Sequence, residues 1–170
     1  GSANISVINP DTLAVTRTIT LPGASQPAGI AFAPDGNHCY VTLEATGKLL
    51  RLDPTTGATT GSVDVGSRPR HLSITADSGQ VLVSRFISPP VPGESTAAPQ
   101  VSGSGGEVLI VDATSLSVDK TVLLRHSDRP NASASARGIP NYLGPAAISP
   151  DGTMAWVPSK QDNIELGAGR

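Results

Sequence analysis

Apolar and polar residues alternate in short runs along this chain, and the runs return in the same order. From Val15 to Leu21, Val15, Ile19 and Leu21 share one face with Arg17 while three threonines line the other, the period of a strand exposed on one side. Three stretches are versions of one phrase: Pro27 to Thr42, Pro69 to Ser84 and Gly144 to Ser159. An apolar residue precedes each turn aspartate by three positions: Phe32 before Asp35, Ile74 before Asp77 and Ile148 before Asp151. Tyr40, Leu82 and Trp156 follow the same aspartates by five, and Val41, Val83 and Val157 by six. Each phrase reads as strand, Asp/Gly turn, strand.

A second pattern interleaves with the first. Ile5 to Ile8 runs into Asn9-Pro10-Asp11, Leu49 to Leu52 into Asp53-Pro54, and Val108 to Val111 into Asp112-Ala113. Each is followed by an outer strand: Val15–Leu21, Ala58–Val65 and Val118–Leu124. With A and B flanking the Asp/Gly turn and C and D flanking the Asn/Asp turn, the order is C-D, A-B-C-D, A-B-C-D, A-B. That is twelve strands, or three blade equivalents, with a repeat of about 40 residues, the period of a β-propeller. The expected fold is all-β, a partial propeller of four-stranded antiparallel blades in one domain over 1–170. Its repeats fall at 3–48, 49–106 and 107–163, with a tail at 164–170. The Pro/Gly/Ser-rich stretch 86–106 reads as an insertion without strand pattern, and 125–144 as a second long connection. Three blades are too few to close a ring, which needs roughly four or more. The chain is therefore expected either to belong to a longer propeller or to be completed by oligomerisation. An N-terminal C-D pair and a C-terminal A-B pair are complementary, so a homodimer could make six blades.

Composition agrees with this reading. Aromatic residues are 3% of the chain, whereas 18 Gly and 15 Pro suit many short strands joined by turns. No stretch keeps a 3.6-residue period, so no helix is expected. A net charge of −2 gives no basic signal for nucleic acid. No apolar run approaches the ~20 residues of a membrane-spanning helix. Cys39 is alone, which excludes an internal disulfide, and its place beside Tyr40 and Val41 predicts a buried thiol.

The strand ending Ile8-Asn9, the stretch Pro27 to Gly36 and then Tyr40-Val41-Thr42 resemble the bacterial YVTN-type β-propeller repeat. That family's pattern runs through Ser-Pro-Asp-Gly to Tyr-Val-Thr-Asn. Here Leu43 stands in place of the final Asn, the second copy delays its glycine to Gly79, and the third reads Trp156-Val157-Pro158-Ser159. The resemblance implies an extracytoplasmic protein, periplasmic or at the cell surface, often with seven blades and mostly non-catalytic binding roles. Related propellers include lactonase-like hydrolases and haem-linked periplasmic oxidoreductases. Arg137 to Gly144, with Lys160 to Asn163, resembles larger bacterial propeller proteins joined to cytochrome-like modules. No Cys-x-x-Cys-His occurs in this sequence to attach haem covalently.

Topology sorts the loops. The A–B and C–D turns are short and fall on one face, and the B–C and D–A crossovers, with both long connections, fall on the other. Function tends to sit on elaborated loops over a rigid scaffold. The short turns carry Asp, whose side chains bond nearby backbone amides. The crossover face carries Lys48, Arg68, Arg70, Arg85, Arg125, Arg129, Arg137 and Lys160 against Glu44, Glu94, Glu107, Asp128 and Asp162. An excess of cations there suits a small anionic ligand. The candidate ligand-binding residues are Arg68, Arg70, His71, Arg85, Arg137, Asn141 and Tyr142. Arg68-Pro69-Arg70-His71 leads into an innermost strand, where His71 can be a structural residue beside the axis or a proton shuttle. His126-Ser127-Asp128 has triad residue types but not triad geometry, and no metal-ligand spacing appears.

These features point to a non-catalytic binding module with no cofactor, whose partner is a protein or a small anion. A segment of a propeller enzyme, and a purely structural surface-layer-like repeat, are the alternatives. The residues present make no complete catalytic set.

Overall fold

The computed structural model describes residues 3–87, 105–125 and 139–162. Among them the chain forms only strands. β1 (Ala3–Ile8) pairs with β2 (Val15–Leu21) as an antiparallel C-D unit. β3 (Pro27–Phe32), β4 (Cys39–Leu43), β5 (Lys48–Leu52) and β6 (Thr59–Asp64) form one four-stranded blade in sequence order. β7 (Pro69–Ile74), β8 (Gln80–Arg85), β9 (Gly105–Asp112) and β10 (Ser117–Arg125) form the next. A last hairpin pairs β12 (Ala147–Ile148) with β13 (Ala155–Trp156) and continues outward as β11 (Ile139–Asn141) paired with β14 (Lys160–Asp162). The expected C-D, A-B-C-D, A-B-C-D, A-B order is therefore observed.

Two expectations are corrected. Gly105 and Gly106 belong to β9 rather than to a linker, pairing with Arg125 and Leu124. Glycine suits both positions, because a Cβ would lie 2.1 Å from the Leu124 carbonyl oxygen at Gly105 and 2.7 Å from that of Pro140 at Gly106. The connection read as 125–144 contains β11, which leans on its distant partner β14 and has no alternating pattern of its own.

The turns hold by one repeated device. Asn9 Oδ1 accepts from the Asp11 and Thr12 amides, Asp53 Oδ1 from Thr55 and Thr56, and Asp112 Oδ1 from Thr114 and Ser115. The fourth residue after each is left-handed: Leu13 (φ 55°), Gly57 (φ 75°) and Leu116 (φ 55°). In the A–B turns Asp35, Asp77 and Asp151 accept from the amides two residues on. The residue after each aspartate is again left-handed, and Ser78 (φ 61°) takes the place that Gly36 and Gly152 hold elsewhere. The delayed glycine of the second phrase thus leaves the turn geometry unchanged. Amides of Asn37, Thr56 and Ser115 hold the Asp35, Asp53 and Asp112 carboxyls below their usual pKa, and the Thr75 and Ser149 hydroxyls do so for Asp77 and Asp151. These aspartates are turn caps.

Blades pack face to face through three apolar layers. Ala3, Ile5, Ile19 and Leu21 meet Cys39, Val41, Leu50 and Leu52. Tyr40, Leu49 and Val65 meet Leu72, Val83 and Val111. Leu82, Val108 and Leu124 meet Leu143, Ala146 and Val157. Along β4, Cys39 and Val41 point to the preceding unit and Tyr40 to the following blade, so one strand serves two layers. Burial raises the Cys39 thiol pKa, as expected for an inert core cysteine. His38 is half-buried, edge-on to Tyr40.

The innermost strands come closest. The Thr42 hydroxyl donates to the Arg70 carbonyl at 2.9 Å and accepts from the Gly29 amide at 2.8 Å, joining β4, β3 and the next blade's β7. A Cβ at Gly29 would sit 2.4 Å from that same carbonyl oxygen. Arginines tie the outer rim: Arg17 donates to the Thr55 carbonyl at 2.5 Å and Arg51 to that of Ala113 at 2.9 Å, each reaching the next C–D turn.

Gly29→Ala is expected to lower unfolding free energy by roughly 1–3 kcal/mol, the cost of forcing backbone apart in a packed layer, read from urea denaturation. Leu13→Gly is expected to raise it by about 1 kcal/mol, because an exposed leucine then leaves a left-handed position. Leu116→Gly, which strips a side chain packed on the core, is expected to lower it, as thermal melts of the pair will show.

Candidate functional site

Strand geometry gathers the crossover-face side chains beside the inner strands. β7 begins at Pro69, so Arg70 and His71 stand at the top of an inner strand, preceded by Arg68 in a left-handed conformation (φ 56°). Gln26 (φ 51°) and Tyr142 (φ 51°) hold the same place nine residues before Asp35 and Asp151. The fold therefore repeats a bend at the mouth of each inner strand and varies only its side chain: Gln, Arg, Tyr.

Arg70 makes a two-pronged ion pair with Glu44 from the β4–β5 loop of the preceding blade, Nε to Oε2 at 2.8 Å and Nη2 to Oε1 at 2.7 Å. Its guanidinium also lies 3.4 Å above the centre of the Phe86 ring. Phe86 sits edge-on to His71 (6.4 Å) and to Tyr142 (5.1 Å), and the Lys160 ammonium lies 5.0 Å from the Tyr142 ring. Arg70 thus covers the central ring of this row and Lys160 stands at its Tyr142 end, a stacking arrangement that Arg in particular favours. The Phe86 amide donates to the Arg68 carbonyl at 2.9 Å, which fixes the ring where β8 ends.

The predicted residues divide into groups. Arg70, His71 and Tyr142 come together, joined through Phe86. Arg85 points elsewhere, pairing with Glu107 and donating to the Ser67 carbonyl at 2.8 Å and hydroxyl at 2.5 Å, which fastens the loop before β7. Asn141 is buried in β11, and Arg137 lies outside the described residues, as do His126, Ser127 and Asp128. Arg68 has no carboxylate or hydrogen-bond partner for its side chain among the described residues. It lines a recess of about 460 Å³ with Gln26, Glu44, Ala45 and Ser67.

Sequence reasoning missed Phe86, which it assigned to the insertion. The available signal was its position directly after the strand residue Arg85. It also counted Glu44 against the cations without pairing it to Arg70.

Electrostatics favour a neutral His71. Desolvation lowers its pKa first, the neighbouring Arg70 charge lowers it further, and Glu44 opposes both. Among the described residues no cluster of three His, Cys, Asp or Glu could hold a metal ion.

The blades, their antiparallel order and their inter-blade layers define a β-propeller-type fold. Solved structures agree: hydrazine synthase of Kuenenia stuttgartiensis superposes with a TM-score of 0.58 at 18% identity over 86% of this chain and 32% of its own. Dihydro-heme d1 dehydrogenase NirN gives 0.51 at 19% over 84% and 25%. The WD40 domain of Toxoplasma gondii coronin gives 0.61 at 14% over 94% and 35%. The chain thus spans a quarter to about a third of these structures. It matches no protein-family model and no curated protein sequence.

His71 is expected to titrate below the ordinary imidazole value of 6.5 in an NMR pH series. A depressed folded value means stability that is present above that pH and lost as pH falls through the folded value. The urea midpoint should therefore fall less between pH 7 and pH 5 in His71→Gln than in the parent protein.

Proposed function

We propose that this chain is a non-catalytic binding module of a bacterial extracytoplasmic protein, holding a small anionic ligand on its crossover face. The extracytoplasmic placement rests on the resemblance to YVTN-type repeats. The observation that carries the ligand reading is the unequal pairing of the arginines. Arg70 and Arg85 have their own carboxylates, whereas among the described residues Arg68 has no such partner and lines an open recess beside Glu44. A carboxylate or phosphate is the group that a planar guanidinium fork fits. The row of Phe86, His71 and Tyr142 next to it offers ring edges and faces to a planar ligand body.

Calorimetric titration with benzoate and with inorganic phosphate tests this. Arg68→Ala is expected to weaken binding by at least about tenfold, the worth of a charged hydrogen bond. Glu44→Gln, which frees Arg70, is expected to tighten it, and added salt to weaken it. Equal affinities in the parent and Arg68→Ala would sink the reading.

A further inference from the structure

The recess beside Arg68 carries charges of both signs, and that narrows what it can take. Its walls are Gln26, Glu44 and Ala45 from one full blade and Ser67 and Arg68 from the next. A simple anion drawn to the Arg68 guanidinium would also meet the Glu44 carboxylate within the same 460 Å³. Like charges held that close repel.

Glu44 is spent only in part. Each of its oxygens accepts one bond from Arg70, Oε2 from Nε and Oε1 from Nη2. A carboxylate offers roughly four lone-pair sites, so acceptor capacity remains for an incoming ammonium. Arg70, Glu44, that ammonium, a ligand carboxylate and Arg68 would then stand in a row of alternating sign. Every charge in it has only opposite charges as neighbours. The Ser67 oxygen accepts from Arg85 Nη2, which leaves the hydroxyl proton for the ligand carboxylate. The Gln26 amide can donate to one end of such a ligand or accept from the other.

Both walls are fixed before a ligand arrives. On the first blade, the Gln26 carbonyl accepts from the Glu44 amide at 2.9 Å and the Ser25 carbonyl from the Ala45 amide at 3.1 Å. On the second, the Arg68 carbonyl accepts from the Phe86 amide at 2.9 Å and the Ser67 carbonyl from Arg85 Nε at 2.8 Å. Backbone held in this way loses little freedom on binding. One blade supplies the carboxylate and the next the guanidinium, so inter-blade packing sets their separation. Resting on the reading of Arg68 as an anion site, we propose that its ligand is a zwitterion. It is a small amino acid whose carboxylate meets Arg68 and whose ammonium meets Glu44.

NMR titration of the full chain tests it with two matched series. Glycine, 3-aminopropionate and 4-aminobutyrate carry the ammonium; acetate, propionate and butyrate lack it. The tightest amino acid is expected to bind roughly two- to fivefold better than the simple acid of equal length, the worth of an exposed ion pair. N-acetylglycine keeps the carboxylate without the positive charge and should bind no better than acetate. Glu44→Gln should act oppositely on the two series, weakening the amino acids and tightening the simple acids. Simple acids that bind the parent protein as well as their amino counterparts overturn the zwitterion and leave Arg68 as a plain anion site. Binding of neither series overturns both readings. A Glu44→Gln variant that keeps the preference for the amino acids overturns the role of Glu44 and the proposal with it.

Discussion

Everything in this molecule depends on how near the inner strands can come. At Gly29 the backbone of β3 and the Arg70 carbonyl of β7 leave no room for a side chain. The Thr42 hydroxyl uses the space by bonding to both strands. Hydrogen bonds that bridge blades at the axis fix their spacing, and the apolar layers then have only to fill the widening gap outward. The second blade meets the last hairpin differently, through the Ser73 hydroxyl and the Ala146 carbonyl, so the constraint is geometric rather than tied to one residue type.

Outward from that axis each blade meets only its neighbours. Alternation along β4 sends Cys39 one way and Tyr40 the other, and rim arginines reach one turn ahead. Stability of such an array is close to a sum of unit and nearest-neighbour terms. The crossover face inherits its precision from the same stacking. Glu44 can grip Arg70 only because consecutive blades hold the β4–β5 loop of one against β7 of the next.

Much of the fold was legible because its signals are local. Asn9, Asp53 and Asp112 cap their own turns, and strands such as Val15–Leu21 state their burial by alternation. β11 and β14 were not legible: three residues each, one containing Pro140, they exist through pairing with each other. At the site, Arg70, His71 and Tyr142 could be placed by topology. The partition of cations could not, because a charge tally of a face does not say which carboxylate each arginine meets. Phe86 was hidden for a related reason: a lone aromatic beside a Pro/Gly/Ser-rich stretch carries no period, and its role comes from rings supplied by two other segments.

Cys39 gives the molecule an internal clock. Its thiol lies beneath β1 and β2, packed with Ile5 and Ile19 at the floor of the groove between β1 and β3, and burial raises its pKa. A thiol reagent too bulky for that groove reaches it when the N-terminal hairpin lifts from its neighbour. The pace of that chemistry would then count the lifting of one inter-blade layer, separately from unfolding of the rest.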